Sequence, residues 1–429
     1  MRNERGNEMV DERKGLTRRE FLKAAGATAA GVMVSSLAAS PAFSLAPPRV
    51  LGANDRIRIG YIGVGGQGVS HIHTTQSMAQ ELNLEPAAVC DVWEKRIAHA
   101  QAVANLPTSK AYHDYRKLLE DKDVDAVLIA TPEHWHSRIA IDALESGRPC
   151  YIEKPMTRHL NEAVKLLDTA RRTKLPVQIG SQFCSQAIWG RAHDLIKEGR
   201  IGKVVWSQGS YSRNNPSGEW NYGIDPEANE TNVDWKTWLG PCKQRPWDPE
   251  RYFRWRKYLD YSAGILSDLF PHKLHPLMIA IGAEYPKRVA CVGTIIGSPD
   301  REVADNTQLL IEFPSGNTMV MAGATCNEQG LQDMVRGTKA TMYFGGSNLK
   351  ISPERPYAEE IDEFTENVEG PSGSMNDHQK NWFDAIRTGA KLNCDIELAT
   401  KVQVVVCLAE KSWLQGKMMN FDAEKMKVA

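Results

Sequence analysis

The chain has no C-x-x-C pair, and its eight cysteines are scattered from Cys90 to Cys407. That pattern excludes both a zinc-ligand motif and a disulfide framework. There is no uninterrupted apolar run of the ~20 residues that a bilayer span needs. Charge of one sign is lacking too: 52 Lys and Arg stand against 53 Asp and Glu, for a net charge of -1. This excludes the strongly basic field of a nucleic-acid-binding or anionic-membrane-binding protein. Nothing repeats at a fixed period, which excludes a solenoid.

What is present begins with a leader. Thr17-Arg18-Arg19-Glu20-Phe21-Leu22-Lys23 precedes an Ala/Gly-rich, weakly apolar segment that reaches Ala39. Small residues follow at Ser40, Ala42, Ser44 and Ala46. A basic region, a short apolar region and small residues make a secretory signal, and the paired arginines are of the twin-arginine (Tat) type. Residues 1–46 are therefore expected to be removed and the protein exported to the periplasm, with no stable membrane insertion after processing. Such cargo travels folded, so the cysteines say little about redox compartment. The 429-residue chain then leaves enough length for two domains with full cores.

After an extended arm from Pro47 to Asp55, the strand Ile57–Ile62 opens into G-V-G-G-Q-G, Gly63 to Gly68. Glycine at these spacings gives a tight turn, a close backbone approach to a pyrophosphate, and close helix–strand packing. The strand Ala87–Cys90 ends in Asp91, about twenty residues on, where an acid binds the ribose hydroxyls. A carboxylate there favours NAD, with NADP possible. Lys95 and Arg96 read as solvated helix charges. The apolar run Asp125–Ala130 ends in Thr131-Pro132, an amphipathic helix reaches Gly147, and Pro149–Ile152 makes a further strand. Such strand–helix–strand units build parallel sheets whose ligands lie at the strand carboxyl ends. Glu153-Lys154-Pro155 stands at one. The pattern predicts a Rossmann domain over 47–180.

Residues 181–429 read differently. A helix over Ala187–Glu198 is followed by strands at Lys203–Ser210, Arg288–Thr294, Thr307–Glu312, Asn317–Ala322 and Lys339–Phe344. Strands without intervening helices predict a mainly antiparallel sheet, and so an α/β substrate-binding and oligomerisation domain. The acidic, then Gly/Ser/Pro-rich stretch 359–373 reads as a surface loop, with helices near Asp377–Thr388 and Ala399–Gln415.

Two stretches of this second domain carry chemistry. Between Trp220 and Tyr261 lie ten aromatic residues, Trp235 and Trp238 among them. Aromatic faces stack on sugar rings, so Trp220 and Tyr258 are candidate substrate contacts; the alternative is a loop packed on itself. Next, Asp268, His272 and His275 recur at helical spacing on one face, with Pro271 and Pro276 forcing that helix to kink or begin late. An Asp–His pair in a cleft suits general acid/base work. The pattern H-x-H at His134 and His136, with H-x-x-H at His272 and His275, also admits a metal hydrolase, although no metal is expected.

G-V-G-G-Q-G, T-P-E-H-W-H, E-K-P, G-R-I-G-K-V and the G-x-x-x-D-x-x-x-H block resemble the Gfo/Idh/MocA family. The resemblance implies a Rossmann domain followed by an α/β domain with an open-faced sheet that often makes oligomer contacts, here a homodimer or homotetramer. It implies NAD(P)-dependent redox chemistry on a sugar or polyol. Lys154 matches the catalytic lysine, Pro155 the proline after it, His136 the histidine after T-P, and Asp268 and His272 the acid/base pair. The cofactor set is then Gly63, Gly65, Gly66, Gln67, Gly68, Asp91, Thr131, Pro132, His136, Glu153 and Lys154. The substrate set is Lys154, Trp220, Tyr258, His272 and His275. The chain departs from the family at His275, where many members have Asp, at Ser262-Ala263-Gly264, which replaces a run of glycines, and at Phe183-Cys184, where Arg is common. In the expected mechanism His272 takes a hydroxyl proton, Lys154 stabilises the oxygen, and Asp268 orients the imidazole. Alternatives are a redox-assisted glycosidase, lyase or epimerase, and a catalytically dead sugar-binding protein.

Overall fold

The computed structural model describes residues 56–429; the leader and the arm lie outside the described residues. A six-stranded sheet comes first, in the order β3-β2-β1-β4-β5-β6. Its strands are β1 (Ile57–Ile62), β2 (Leu84–Cys90), β3 (Ala111–Tyr112), β4 (Ala126–Ile129), β5 (Cys150–Glu153) and β6 (Val177–Gly180). All pairs are parallel. The connections carry α1 (Gly66–Ser77), α2 (Glu94–Ala104), α3 (Tyr115–Glu120), α4 (Glu133–Glu145) and α5 (Leu160–Thr173). Strands β4, β5 and β6 are buried at every position, as a sheet covered on both faces requires. Strand β2 starts earlier than its apolar run, and its register with β1 shifts between Ile59 and Gly60. The shift lies beside Pro86, which has no N–H for the ladder. The chain order reverses between β1 and β4, so the cleft between them is where a doubly wound sheet binds its ligand.

The second sheet has ten strands. Its spine is β7 (Val204–Ser210), β9 (Arg288–Thr294), β10 (Asn306–Glu312) and β11 (Thr318–Ala324), with β8 (Arg213–Asn214) apart in a two-stranded pair. All the ladders of the large sheet are antiparallel except β11 with β7. One face is covered by α6 (Ala187–Lys197), the helix Pro271–Ile281 and the long helix Ile396–Gln415. Alternation explains this: β10 buries Thr307, Leu309 and Ile311 and turns Gln308 and Leu310 outward. On the open face Val205, Val292 and Leu310 remain exposed.

Two features differ from the sequence reading. The stretch 359–373 is not all loop, because Phe364–Asn367 adds an edge strand beside Asn348–Pro353; its alternating Phe, Thr, Glu and Asn carry too little apolar character to signal a strand. And the helix Met375–Thr388, although late in the chain, packs on α1 and lends Trp382 and Phe383 to the core around Ile57, Ile59 and Tyr61. Among the described residues no helix is long and apolar enough to cross a membrane.

Candidate active site

The carboxyl ends of β1, β2, β4 and β5 open onto one cleft of about 520 Å³, within the range of ligand pockets. Gly63, Gly65, Gly66, Gln67, Asp91, Thr131, Pro132, His136, Glu153 and Lys154 all line it. Gly68, the remaining member of the expected cofactor set, is buried behind the turn. Its role is visible in what a side chain would meet: a Cβ there would lie 2.1 Å from the Gly63 carbonyl oxygen. Gly63 itself has φ +84, and its Cβ would lie 2.6 Å from the Thr131 nitrogen. A backbone this close admits only glycine. Gly65 is the N-cap of α1 and offers no side-chain cap, so the helix's first N–H groups remain available to an anion. The Asp91 carboxylate braces the turn, accepting from Val64 N at 2.9 Å and Trp93 N at 3.1 Å. This cradle fits a dinucleotide: bare N–H groups for a pyrophosphate and an acid at the end of β2 for a ribose.

Arg96 is not the solvated charge the sequence implies. It lines the cleft, with its guanidinium 5.5 Å from the Trp93 ring centre and 5.1 Å from that of Tyr252. Lys95 does reach outward, to Asp225 and Glu227. The aromatic stretch Trp220–Tyr261 supplies this wall. Backbone bonds Glu94 N to Asn232 O and Asp234 N to Val92 O tie it to the Rossmann side. Trp235 and Trp238 are stacked at 4.8 Å and form a buried cluster with Trp93, Tyr252 and Tyr261. Most of the stretch is therefore self-packed; Tyr222, Trp238, Tyr252, Phe253 and Trp255 reach the cleft.

At the far end lies the E-K-P turn, with the Lys154–Pro155 peptide in cis. Burial alone would raise the pKa of Glu153, but a His71 contact at 2.8 Å, Lys154 and Gln67 outweigh it and hold it at about 2. Its second oxygen accepts from Lys154 N at 3.1 Å, and its first from Gln67 Nε2 at 2.9 Å. An ionised Glu153 thus joins the phosphate turn to the lysine. His136 sits between the carbonyls of Pro155 (2.7 Å) and Thr131 (2.8 Å). Burial lowers its pKa against those two acceptors, and it pins the E-K-P turn to the end of β4.

Lys154 Nζ donates to both the carbonyl oxygen and Oδ1 of Asp268, each at 2.8 Å. Arg256 Nε donates to the same Oδ1 at 3.0 Å and Trp220 Nε1 to Oδ2 at 3.0 Å. Burial opposes its charge, but Lys154 and Arg256 together keep the Asp268 carboxyl far below the usual carboxylate range. The expected Asp268–His272 pairing is thus replaced by an Asp268–Lys154 pairing. The reason is local: Ile265–Leu269 forms a π-turn, and the α-helix begins only at Pro271, a favoured place for proline. Asp268 and His272 therefore do not share one regular helix face.

His272 is buried, with Nδ1 lacking a partner among the described residues. Its ring centre lies 5.5 Å from those of Phe183 and Tyr211. Burial first, and the Lys154 charge second, push its pKa down to about 3. The imidazole is neutral and can accept a proton. His275 is buried, its Nδ1 meets the Pro271 carbonyl at 2.8 Å, and neither it nor His272 lines the cleft. Nor does Tyr258, which lies under the Arg251 guanidinium. Trp220 is buried, bonded to Asp268 and held at φ 64, a conformation costing about 1–3 kcal/mol in a non-glycine residue. It supports the site rather than stacking on a ligand. His134 is held by the Trp238 carbonyl at 2.8 Å, and no three His, Cys, Asp or Glu side chains group as metal ligands among the described residues.

The sequence reading missed Arg256 and did not single Tyr222 out of the aromatic stretch; both line the cleft, as Lys154 does. Arg256 also lies over the Trp255 ring at 4.1 Å. Its signal was faint: one arginine in a stretch rich in aromatics and charge.

Residues 57–181 match the family described as "Oxidoreductase family, NAD-binding Rossmann fold" (GFO_IDH_MocA), and residues 215–429 match its C-terminal alpha/beta domain. Curated relatives include proteins named glycosyl hydrolase family 109 protein from Shewanella sp. (strain W3-18-1) and Shewanella baltica (strain OS185), each 32% identical over 216 residues. Those matches span 45% of this chain and 45% of each relative. Among solved structures, a levoglucosan dehydrogenase in complex with NADH and L-sorbose superposes with a TM-score of 0.66 at 18% identity, over 85% of this chain and 98% of that one. An oxidoreductase domain protein from Kribbella flavida gives 0.66 at 21%, over 85% and 99%. At these identities the structures establish the fold.

Proposed function

We propose that this chain, which belongs to the Gfo/Idh/MocA family of NAD-binding oxidoreductases, oxidises a hydroxyl-bearing carbon of a sugar, glycoside or polyol. The observation that carries the reading is Lys154 held on Asp268 at a dinucleotide cradle, with a neutral His272 near enough for the Lys154 charge to depress its pKa. Gly63 to Gly68, Asp91 and Glu153 would hold NAD, which when bound takes up hydride from the carbon and can return it.

The chain's own groups handle the oxygen and the proton. Lys154, fixed by Asp268, presents a cation to the hydroxyl oxygen and stabilises charge as it develops there. Neutral His272 accepts the hydroxyl proton. A base held at about 3 is weak, and the Lys154 cation on the same oxygen compensates by making that proton more acidic. Asp268 acts on Lys154, keeping it oriented, and Arg256 adds a second cation at the cleft wall.

The relatives named for glycosyl hydrolysis favour a second reading, in which oxidation is transient and a glycoside is cleaved or an epimer formed with no net redox change. Purified protein, given no added cofactor, separates the two. Cycling of absorbance at 340 nm that needs two sugars supports net oxidoreduction; product from one glycoside supports transient oxidation. No response to any free hexose, polyol or p-nitrophenyl glycoside would sink both. From the twin-arginine leader we also infer export, and from the exposed apolar side chains on the open sheet face a homo-oligomer.

A further inference from the structure

Glu133 follows Pro132 in the first turn of α4, where an acid ordinarily faces water and complements the helix dipole. Here it is 1% exposed. One carboxylate oxygen, Oε1, accepts from two hydroxyls of the second domain, Ser262 Oγ at 2.6 Å and Ser267 Oγ at 2.8 Å. Each hydroxyl accepts in turn a backbone N–H: Gly264 N reaches Ser262 Oγ at 3.1 Å and Ala263 N reaches Ser267 Oγ at 2.9 Å. The same turn closes on Gly264, whose φ is +60 and whose carbonyl accepts from Asp268 N at 2.8 Å. The path from the Glu133 carboxyl to the Asp268 backbone is thus a continuous, buried set of hydrogen bonds. The serine bonds to Glu133 both fall on Oε1, while Oε2 has no partner among the described residues, so it is through Oε1 that the network holds the turn.

We propose that Glu133 is a positioning residue: through Ser262 and Ser267 it fixes the turn that holds Asp268 against Lys154. This rests on the reading that Lys154 handles the substrate oxygen. Burial, opposed by Arg158 and the two serine hydroxyls, raises the Glu133 pKa to about 7. Its function as an acceptor does not need the charge, so glutamine should serve and alanine should not.

The test compares Glu133→Ala, Glu133→Gln and the double variant Ser262→Ala/Ser267→Ala with the unmodified holoprotein. Lys154 acetylation by acetic anhydride is followed by peptide mass spectrometry, with exposed Lys95 as internal reference. Turnover is measured with whichever hexose or p-nitrophenyl glycoside gives the largest signal in the unmodified protein. Glu133→Ala and the double variant should acetylate Lys154 several-fold faster and lose about tenfold in kcat with KM little changed, as a small misplacement does. Dinucleotide content should be unchanged, and Glu133→Gln should restore both readouts. Should Glu133→Ala not fold, the double variant, which removes only two hydroxyl oxygens, decides. Unchanged Lys154 labelling in that variant, or Glu133→Gln as damaged as Glu133→Ala, overturns the proposal. Labelling needs no substrate, so it answers even if the reading of Lys154 as catalytic fails.

Discussion

Lys154 Nζ lies 2.8 Å from two oxygens of one residue, the carbonyl and the carboxylate of Asp268. This bond crosses from the first domain to the second, and it turns a strand-tip ion pair into a fixed cation at the cleft. The Lys154 side chain is 12% exposed, so its charge faces the cleft without being lost in bulk water.

Removal of that cation should affect chemistry more than folding. Lys154→Met keeps most of the stem's packing. Loss of a charge aimed at a developing alkoxide typically costs about 10²–10³-fold in rate. The variant should melt as a folded protein, release the same amount of dinucleotide on denaturation, and fail to reduce it when sugar is added. Turnover near the original rate would return Lys154 to a purely structural ion pair.

The acid limb of the pH–rate profile tests His272. An unperturbed histidine loses its basic form below pH ~6.5, whereas burial and Lys154 push His272 to about 3. If it is the base, kcat/KM should stay level between pH 7 and pH 5, because the free enzyme's imidazole remains unprotonated across that window. The linkage has the opposite sign from a salt-bridged histidine: a depressed pKa favours the unfolded state as pH falls below about 6.5. His272→Asn should lower kcat by roughly 10²–10⁴-fold and reduce that acid destabilisation. An acid limb centred near 6.5 in the unmodified enzyme counts against the assignment.

Much of this site was legible because its chemistry is local in sequence. Gly63, Gly65, Gly66, Gln67, Glu153 and Lys154 line one cleft because strand and turn patterns already fix where their backbone lies. What stayed illegible depends on where distant segments meet. Asp268 and His272 have helical spacing, yet Pro271 starts a new helix between them, so the carboxylate faces Lys154. Trp220, Tyr258 and His275 are residue types that stack on or bind sugars, and only the folded chain shows Trp220 bonded to Asp268, Tyr258 under Arg251 and His275 on the Pro271 carbonyl. Arg96 and Arg256 carry charge in polar stretches, and only the folded cleft shows that aromatic rings hold both against it.

Asp91 tests the cofactor. Its carboxylate lies at the end of β2 and accepts the backbone N–H of Val64, in the glycine turn, and of Trp93, so it is already oriented. Mass spectrometry of what the purified protein releases on denaturation should find NAD(H). Asp91→Ser should weaken NAD(H) retention and relax selectivity toward NADP(H), since the repulsion of a 2′-phosphate is removed. Recovery of NADP(H) alone from the unmodified protein would show that Asp91 does not select the ribose.

Asp268 makes the sharpest prediction about stability, because two cations depend on it. Its side chain is 10% exposed and lies 2.8 Å from Lys154 and 3.0 Å from Arg256. Breaking a buried pair by removing one partner typically costs about 3–5 kcal/mol, since the other charge is left uncompensated. Asp268→Asn keeps the shape and removes the charge, so it should lower the melting temperature at pH 7 and cut turnover, while Lys154→Met, which removes a cation and leaves Arg256 on the carboxylate, should destabilise less. The pH dependence follows from the sign of the shift. Asp268 in the folded protein is held well below the ordinary carboxylate value, so its contribution is fully present above the unfolded pKa of about 4 and is lost as pH falls below it. Thermal melts of the unmodified protein should therefore steepen in their decline below pH 4, and the Asp268→Asn variant, having no charge to lose there, should decline less steeply over the same interval. Parallel acid declines in the two proteins would mean that the Lys154–Asp268 pair contributes nothing net to the fold, and that the carboxylate is retained for the geometry of the cleft alone.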